Sequence, residues 1–337
     1  MKPPSFLPLS GSEVAHARGV PRSHSCERLH RCSQECEHGT QKCVRHAVLF
    51  IILLCSGILH ASTFYVTVAG LGGEPEYEQR FAAQAQEIDK LVRAGNPDAK
   101  VQTLYGPQAT KAQLQSALAS IAKEAKPADA LVLMLIGHGS FDGVDYKINL
   151  PGPDITAVEL AALLDRIPAT HQLVVNMTSA SGGSRSVLEK PNRAVITATK
   201  SGSEKNATIF ARYWVEALRD PAADTDKNET ISGLEAFTYA QQKTSQFYET
   251  QKRLATEHPT GETEGRVASQ IALLHFGATQ AAANTPEKKA LLARREELEQ
   301  QIDTLKYEKA ATPPEEYKKQ LQTLLLELAK VQAELDK

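Results

Sequence analysis

"DALVLMLIGHGS", Asp129 to Ser140, is a near-continuous apolar run closed by a histidine between two glycines. A strand covered on both faces has no polar side, so this stretch predicts an inner strand of a parallel sheet. The chain around it alternates in the same sense. "TFYVTVAGL" (63–71) is rich in β-branched and aromatic residues and stops at Gly72-Gly73. "YEQRFAAQAQEIDKLVRAG" (77–95) carries apolar residues at helical spacing and ends in glycine. "KVQTLYG" predicts a strand, "KAQLQSALASIAKEA" a helix, and "DITAVELAALLDRIP" a helix with an Asp/Thr start. "HQLVVNMTSASGGS" (171–184) reads as a strand running into a corner of small residues, and "NRAVITATKSG" (192–202) as another strand. Two further helices flank a polar loop between Thr208 and Ala255, and residues 258–270 read as a surface loop. This order predicts an α/β fold: a three-layer sandwich with a mostly parallel sheet and helices on both faces.

The 337 residues are 42% hydrophobic and 23% charged, values that fit one large globular domain or two smaller ones. Lys+Arg 38 against Asp+Glu 40 leaves no basic excess, so no nucleic-acid partner is expected. All five cysteines, Cys26, Cys32, Cys36, Cys43 and Cys55, precede Ser56. The stretch "VRHAVLFIILLCSGILHAS" (44–62) places Arg45 and His46 before an apolar run from Ala47 to Leu59, followed by small residues. That is the pattern of a secretory signal peptide over 44–61. Its apolar run is shorter than the roughly 20 residues a membrane helix needs. The expected product is therefore secreted or periplasmic, begins near Ser62, has no stable membrane span and contains no cysteine. Residues 1–43 show no helical or strand period and read as a disordered or spurious extension. Their cysteine spacing fits no common zinc pattern.

Residues 62–280 form the expected α/β domain, and the composition shifts beyond Thr285. "PEKKALLARREELEQQIDTLKYEKA" and "EEYKKQLQTLLLELAKVQAELDK" are joined by Thr312-Pro313-Pro314. Tyr317, Leu321, Leu324, Leu328, Val331 and Leu335 alternate at steps of four and three, and Leu298, Ile302 and Leu305 continue that spacing in the first segment. The pattern predicts an antiparallel coiled-coil hairpin over 285–337, a surface for a coiled-coil partner or for self-association.

Ligands of parallel α/β sheets bind beyond the carboxyl ends of the strands. One strand here ends at His138 between glycines; the next but one ends at the small-residue corner. A base and a corner that presents a side chain make a nucleophile-plus-base layout, with Gly139 free to approach a substrate and offer its N–H to an oxyanion. An apolar strand ending Gly-His-Gly, followed about forty residues later by one ending x-x-Cys-x-Ser-Gly, is the signature of the legumain/caspase-like cysteine peptidases. "MLIGHGS" and "LVVNMTSASGG" resemble it in order and spacing, and the resemblance covers roughly Thr63 to Ala255.

The resemblance implies that His138 corresponds to the general base and that the backbone N–H groups of Gly139 and Ser179 correspond to the oxyanion hole. It also puts Ser179 where the family has its nucleophilic cysteine. A thiol is partly ionised at neutral pH, whereas a serine hydroxyl needs a strong, positioned base. The only acids near the histidine motif are Asp142 and Asp145, and no orienting carboxylate is evident. The expected function is that of a secreted peptidase homologue, inactive as a cysteine peptidase, that keeps its groove as a peptide- or protein-binding module. Two alternatives stay open: a Ser179/His138-dependent hydrolase, and an unrelated α/β domain in which both motifs are structural. Glu204 and Lys205 fall in a loop where related peptidases build substrate pockets. His171 and His258 read as solvated.

"DTDKNETISGLE" (224–235) has the ligand spacing of an EF-hand loop. Asp224, Asp226 and Asn228 would supply side-chain oxygens, Thr230 its carbonyl, and Glu235 a bidentate carboxylate for Ca²⁺. Glu229 stands where such loops need glycine for positive φ, which predicts weak binding. Ser232 and Glu235 also read as a capping box that starts a helix without any metal.

Overall fold

The computed structural model describes residues 61–262, 265–277, 279 and 286–335. The N-terminal extension, the signal-like run up to residue 60 and all five cysteines lie outside the described residues. The chain runs β1 (Thr63–Ala69), α1 (Pro75–Gly95), β2 (Lys100–Leu104), α2 (Lys111–Glu124) and β3 (Ala130–Ile136). Then come β4 (Gly139–Phe141), β5 (Tyr146–Ile148), β6 (Ile155–Thr156), α3 (Ala157–Leu164), β7 (His171–Asn176), α4 (Arg185–Leu188) and β8 (Arg193–Thr197). The remainder is α5 (Phe210–Ala217), β9 (Thr230–Ser232), α6 (Gly233–Thr250), α7 (Arg266–Ser269), β10 (Ala272–His275), α8 (Pro286–Tyr307) and α9 (Pro314–Leu335).

Five strands form the central sheet in the order β2-β1-β3-β7-β8, and every neighbouring pair is parallel. The apolar run of β3 explains itself in this setting. Leu131, Leu133 and Leu135 join one core with Phe64, Val66, Val174 and Val195 of neighbouring strands and Leu114 and Leu118 of α2. Val132, Met134 and Ile136 join the other with Phe81 and Ile88 of α1 and Phe210 and Trp214 of α5. With a strand period of two, such a strand needs an apolar residue at every position.

Local signals place the helix starts. Thr156 and Glu159 cap α3 reciprocally, and Ser232 and Glu235 cap α6 in the same way. The Asp154 start read for α3 shifts inward, because Ile155–Thr156 pairs antiparallel with β5 and Asp154 accepts the Leu150 N–H instead. β4, β5 and β6 form a small antiparallel sheet, and β9 pairs with β10. α7 interrupts the surface loop read over 258–270, and β10 follows it. Neither has enough residues to show a period; β10 is held by Tyr65 and Asn96, which donate to backbone carbonyls of Ala272 and Leu273.

The C-terminal hairpin is present. Lys288 near the start of α8 donates to the carbonyl of Leu335 at the end of α9, and Arg294 pairs with Glu327 at 2.7 Å, so the helices run antiparallel. Leu298, Ile302 and Leu305 are buried, whereas the α9 residues from Tyr317 to Val331 that carry the seam are only half-buried.

Glu257 holds the N-terminus of α5 from the far side of α6. Its carboxylate accepts the N–H groups of Ile209 at 2.7 Å and Phe210 at 3.2 Å and the Tyr248 hydroxyl at 3.0 Å. Burial, opposed by these hydrogen bonds and aided by the charge of Glu204, pushes its pKa from 4.5 up to about 7. The folded state therefore binds this proton more tightly than the unfolded chain. Its contribution to stability is full below pH 4.5 and is lost as pH rises through about 7. In urea denaturation at pH 4.5 and pH 8, wild type should lose roughly 3 kcal/mol more than Glu257→Gln across that interval. Equal losses would refute the assignment.

Candidate functional site

The sheet reverses its winding between β1 and β3, and His138 follows the end of β3 at that point. Both flanking glycines are demanded by packing. Gly137 has φ 147° and lies against Gly70. A β-carbon on Gly139 would come within 2.6 Å of both the Ser179 carbonyl oxygen and the Tyr146 hydroxyl. The His138 ring packs edge-on against Tyr77 and Phe81 of α1, with centroids 4.9 and 5.3 Å away. Burial and then the Arg80 guanidinium lower its pKa, while the Gly72 backbone hydrogen-bonds the ring and acts the other way. The ring is therefore held toward its neutral form.

Ser179 is 2% exposed. Its Oγ accepts the Gly139 N–H at 3.1 Å and donates to the Gly139 carbonyl at 3.2 Å. The structure thus joins Ser179 to Gly139 and leaves His138 facing α1. Of the two N–H groups that the resemblance assigns to an oxyanion, that of Gly139 is occupied by the serine hydroxyl. Asp142 does not turn toward the histidine; it accepts the N–H groups of Val144 and Asp145 and closes the β4–β5 hairpin.

A polar network that the sequence did not announce holds the corner from below. Tyr146 bonds to Asn176 and Thr178, Thr178 donates to Asn176 at 2.8 Å, and Asn176 donates to Ser184 at 3.0 Å. Ser181 and Gly182 are tied to Thr199. Ala180 adopts φ 55°, a left-handed conformation unusual for a residue with a β-carbon. The crowd of small residues has a steric cause. The Phe141 ring lies against Gly183 and Gly202, and a β-carbon on Gly182 would stand 2.3 Å from the Ser201 nitrogen. The one available cue in the sequence was Asn176, a polar residue closing the strand after the apolar Leu173, Val174 and Val175.

His258 is exposed, in keeping with the solvated reading, and it also has a partner. Its Nδ1 lies 2.5 Å from Glu204, whose other oxygen accepts the N–H groups of Lys200 and His258. A residue in an irregular loop with no periodicity gave no hint of that partner. His171, by contrast, is half-buried rather than solvated as the sequence suggested, and burial lowers its pKa.

The loop 224–235 brings Asp224, Asp226 and Glu235 together, with one oxygen from each within 4.8 Å of the others. Asp224 accepts the N–H groups of Asn228 and Glu229, both at 3.1 Å. The Asn228 side-chain oxygen Oδ1 accepts the Thr230 N–H, and Glu235 spans the Thr225 and Ser232 N–H groups. Glu229 has φ 60°, the conformation expected at that position. Burial, followed by the charges of Glu235 and Asp224, pushes Asp226 up to about 6. Sequence reading missed Glu299 of α8, which accepts from Asn228 at 3.4 Å and adds another carboxylate.

No family model and no curated protein matches the chain. Among solved structures it is similar to a structural-genomics target from Geobacter sulfurreducens, at 14% identity over 65% of this chain and 100% of that one, with TM-score 0.44. It is also similar to caspase-1 from Spodoptera frugiperda, at 14% identity over 60% of this chain and 85% of that one, with TM-score 0.42. The α/β class rests on the strand order and pairing described above.

The corner's steric account is open to a direct check. Gly182→Ala should destabilise the protein by about 3 kcal/mol in chemical denaturation, since the obstructing atom is backbone and cannot rotate away. A loss under about 0.5 kcal/mol would show that the corner has room to spare.

Proposed function

We propose that this chain is a secreted or periplasmic caspase/legumain-like peptidase homologue that does not cleave peptides and acts as a peptide- or protein-binding module. The observation that carries this is the closure of the Ser179 hydroxyl on the Gly139 backbone. A serine nucleophile must give its proton to a base in hydrogen-bond reach while an N–H pair waits for the oxyanion. Here the hydroxyl proton goes to a carbonyl, the Gly139 member of that N–H pair is taken, and the histidine packs among aromatic rings. Cleavage ahead of Ser62 leaves β1, which opens at Thr63, whole.

The exported protein should show no turnover of a fluorogenic peptide library, and Ser179→Ala should leave that background unchanged. Wild-type turnover abolished by Ser179→Ala would establish the serine-dependent hydrolase with His138 as base instead.

The loop 224–235 is assigned a calcium ion in the same proposal. Three converging carboxylates and positive φ at Glu229 fit a hard cation; burial first, and then the charges of Glu235 and Asp224, raise the pKa of Asp226, and a bound cation would favour its charged form. Asp224, Asp226 and Glu235 would hold it, with Asn228 and Thr230 completing the loop. Millimolar Ca²⁺ should raise the melting temperature, Mg²⁺ should raise it less, and Glu229→Gly should enlarge the calcium response. Asp226→Asn should raise the metal-free melting temperature by removing a crowded charge, and should abolish the response. A melting curve unmoved by calcium would leave the loop as a helix-starting turn.

A further inference from the structure

An open groove of about 1030 Å³ runs between the second half of α8, the first half of α9, and His171 and Gln270 of the α/β body. His171 begins β7 and Ser179 follows its other end, so this groove is separate from the site above. Leu305 and Leu324 give it apolar surface, and Gln301 and Gln320 line it with amides. The carboxylates of Glu297, Glu308, Glu315 and Glu316 border it, against the single cation of Lys319. Arg294 and Gln301 already satisfy Glu297, and Gln320 donates to Glu316. Glu308 and Glu315 have no ion pair among the described residues.

We infer that this groove binds an extended, basic peptide segment. The span from Glu297 along α8 to Glu308 just past its end is roughly 17 Å at ~1.5 Å per residue, the length of about five residues of extended chain at ~3.3 Å each. Glutamine amides carry both donors and acceptors and so suit the alternating N–H and C=O groups of a peptide backbone. The excess of carboxylates selects lysine or arginine side chains and disfavours acidic ones. The apolar surface takes the aliphatic stems of those side chains while their charged heads reach the rim.

Fluorescence anisotropy with labelled hexa-arginine, hexa-glutamate and a Gly/Ser hexapeptide at physiological salt tests this on the full chain. Only the basic peptide should bind. Glu308→Lys, Glu315→Lys and Glu316→Lys combined should weaken it at least tenfold with the circular dichroism spectrum retained. Thr323→Trp, an exposed position that fills the groove without changing its charge, should weaken it comparably. Diffuse attraction to the acidic surface would spare binding in Thr323→Trp and overturn the proposal. Equal binding by the triple-lysine variant would do the same. So would sedimentation showing a dimer that these substitutions dissociate, because a second copy would then be the occupant. None of these readings depends on whether Ser179 is reactive.

Discussion

The burial of β3 on both faces is the constraint from which the rest of the molecule follows. Leu131 to Ile136 are each at most 1% exposed. A strand with no polar side must be covered by helices above and below, and parallel neighbours supply those helices through their crossovers. α1 and α5 cover one face, and α2 and α3 cover the other. The same arrangement sends the carboxyl ends of β3 and β7 to one edge, where His138 and Ser179 lie. Truncating any of these β3 leucines to alanine would remove packing of about 2–5 kcal/mol, a large share of a domain's net stability.

Close packing shapes the edge where the candidate site lies. Gly137, Gly139, Gly182, Gly183 and Gly202 each sit where a β-carbon would meet backbone or an aromatic ring. Signals that resemble a nucleophile's setting are thus also the signals of a tightly built corner. What the corner shows is a Ser179 hydroxyl closed on the Gly139 N–H and carbonyl, a contact that a nucleophile would have to give up. The unusual φ of Ala180 is held in place by the N–H of Ala180 donating to the Glu204 carbonyl at 2.8 Å. That bond fixes the loop carrying Glu204 and His258 against the corner.

The layers were legible in the sequence because burial writes a period. β3 shows its two covered faces, α1 its stripe, and α3 and α6 their capping boxes. β6, α7 and β10 were not legible, since two to four residues cannot show a period and their partners are distant in sequence. The candidate site divides in the same way. His138, Gly139 and Ser179 could be picked out by motif, but the direction of the imidazole depends on Tyr77 and Phe81, and the state of the hydroxyl on Gly139. Those are tertiary contacts with no local signature. The loop 224–235 was the most legible feature, because its donors are contiguous and its turn is forced by alternating side-chain acceptors.

That loop also shows how the hairpin is attached. Arg295 of α8 is 3% exposed and donates to the Thr230 hydroxyl at 3.0 Å, so a cation from the hairpin is buried beside the acidic loop. Its Nε lies 3.6 Å from Glu299, whose pKa burial pushes up to about 7, with Arg295 opposing and Asp226 reinforcing the shift. Burial is the larger cause for both carboxyls, and the charges that add to it cross between parts of the fold: Glu235 and Asp224 act on Asp226, and Asp226 acts on Glu299. Any charge that relieves Asp226, a proton or a cation in the loop, also relieves Glu299. The loop and α8 are joined directly as well: the Asn228 side chain donates to Glu299 at 3.4 Å and Arg295 to the Thr230 hydroxyl at 3.0 Å, so the start of the hairpin is fastened to the acidic turn by its own hydrogen bonds.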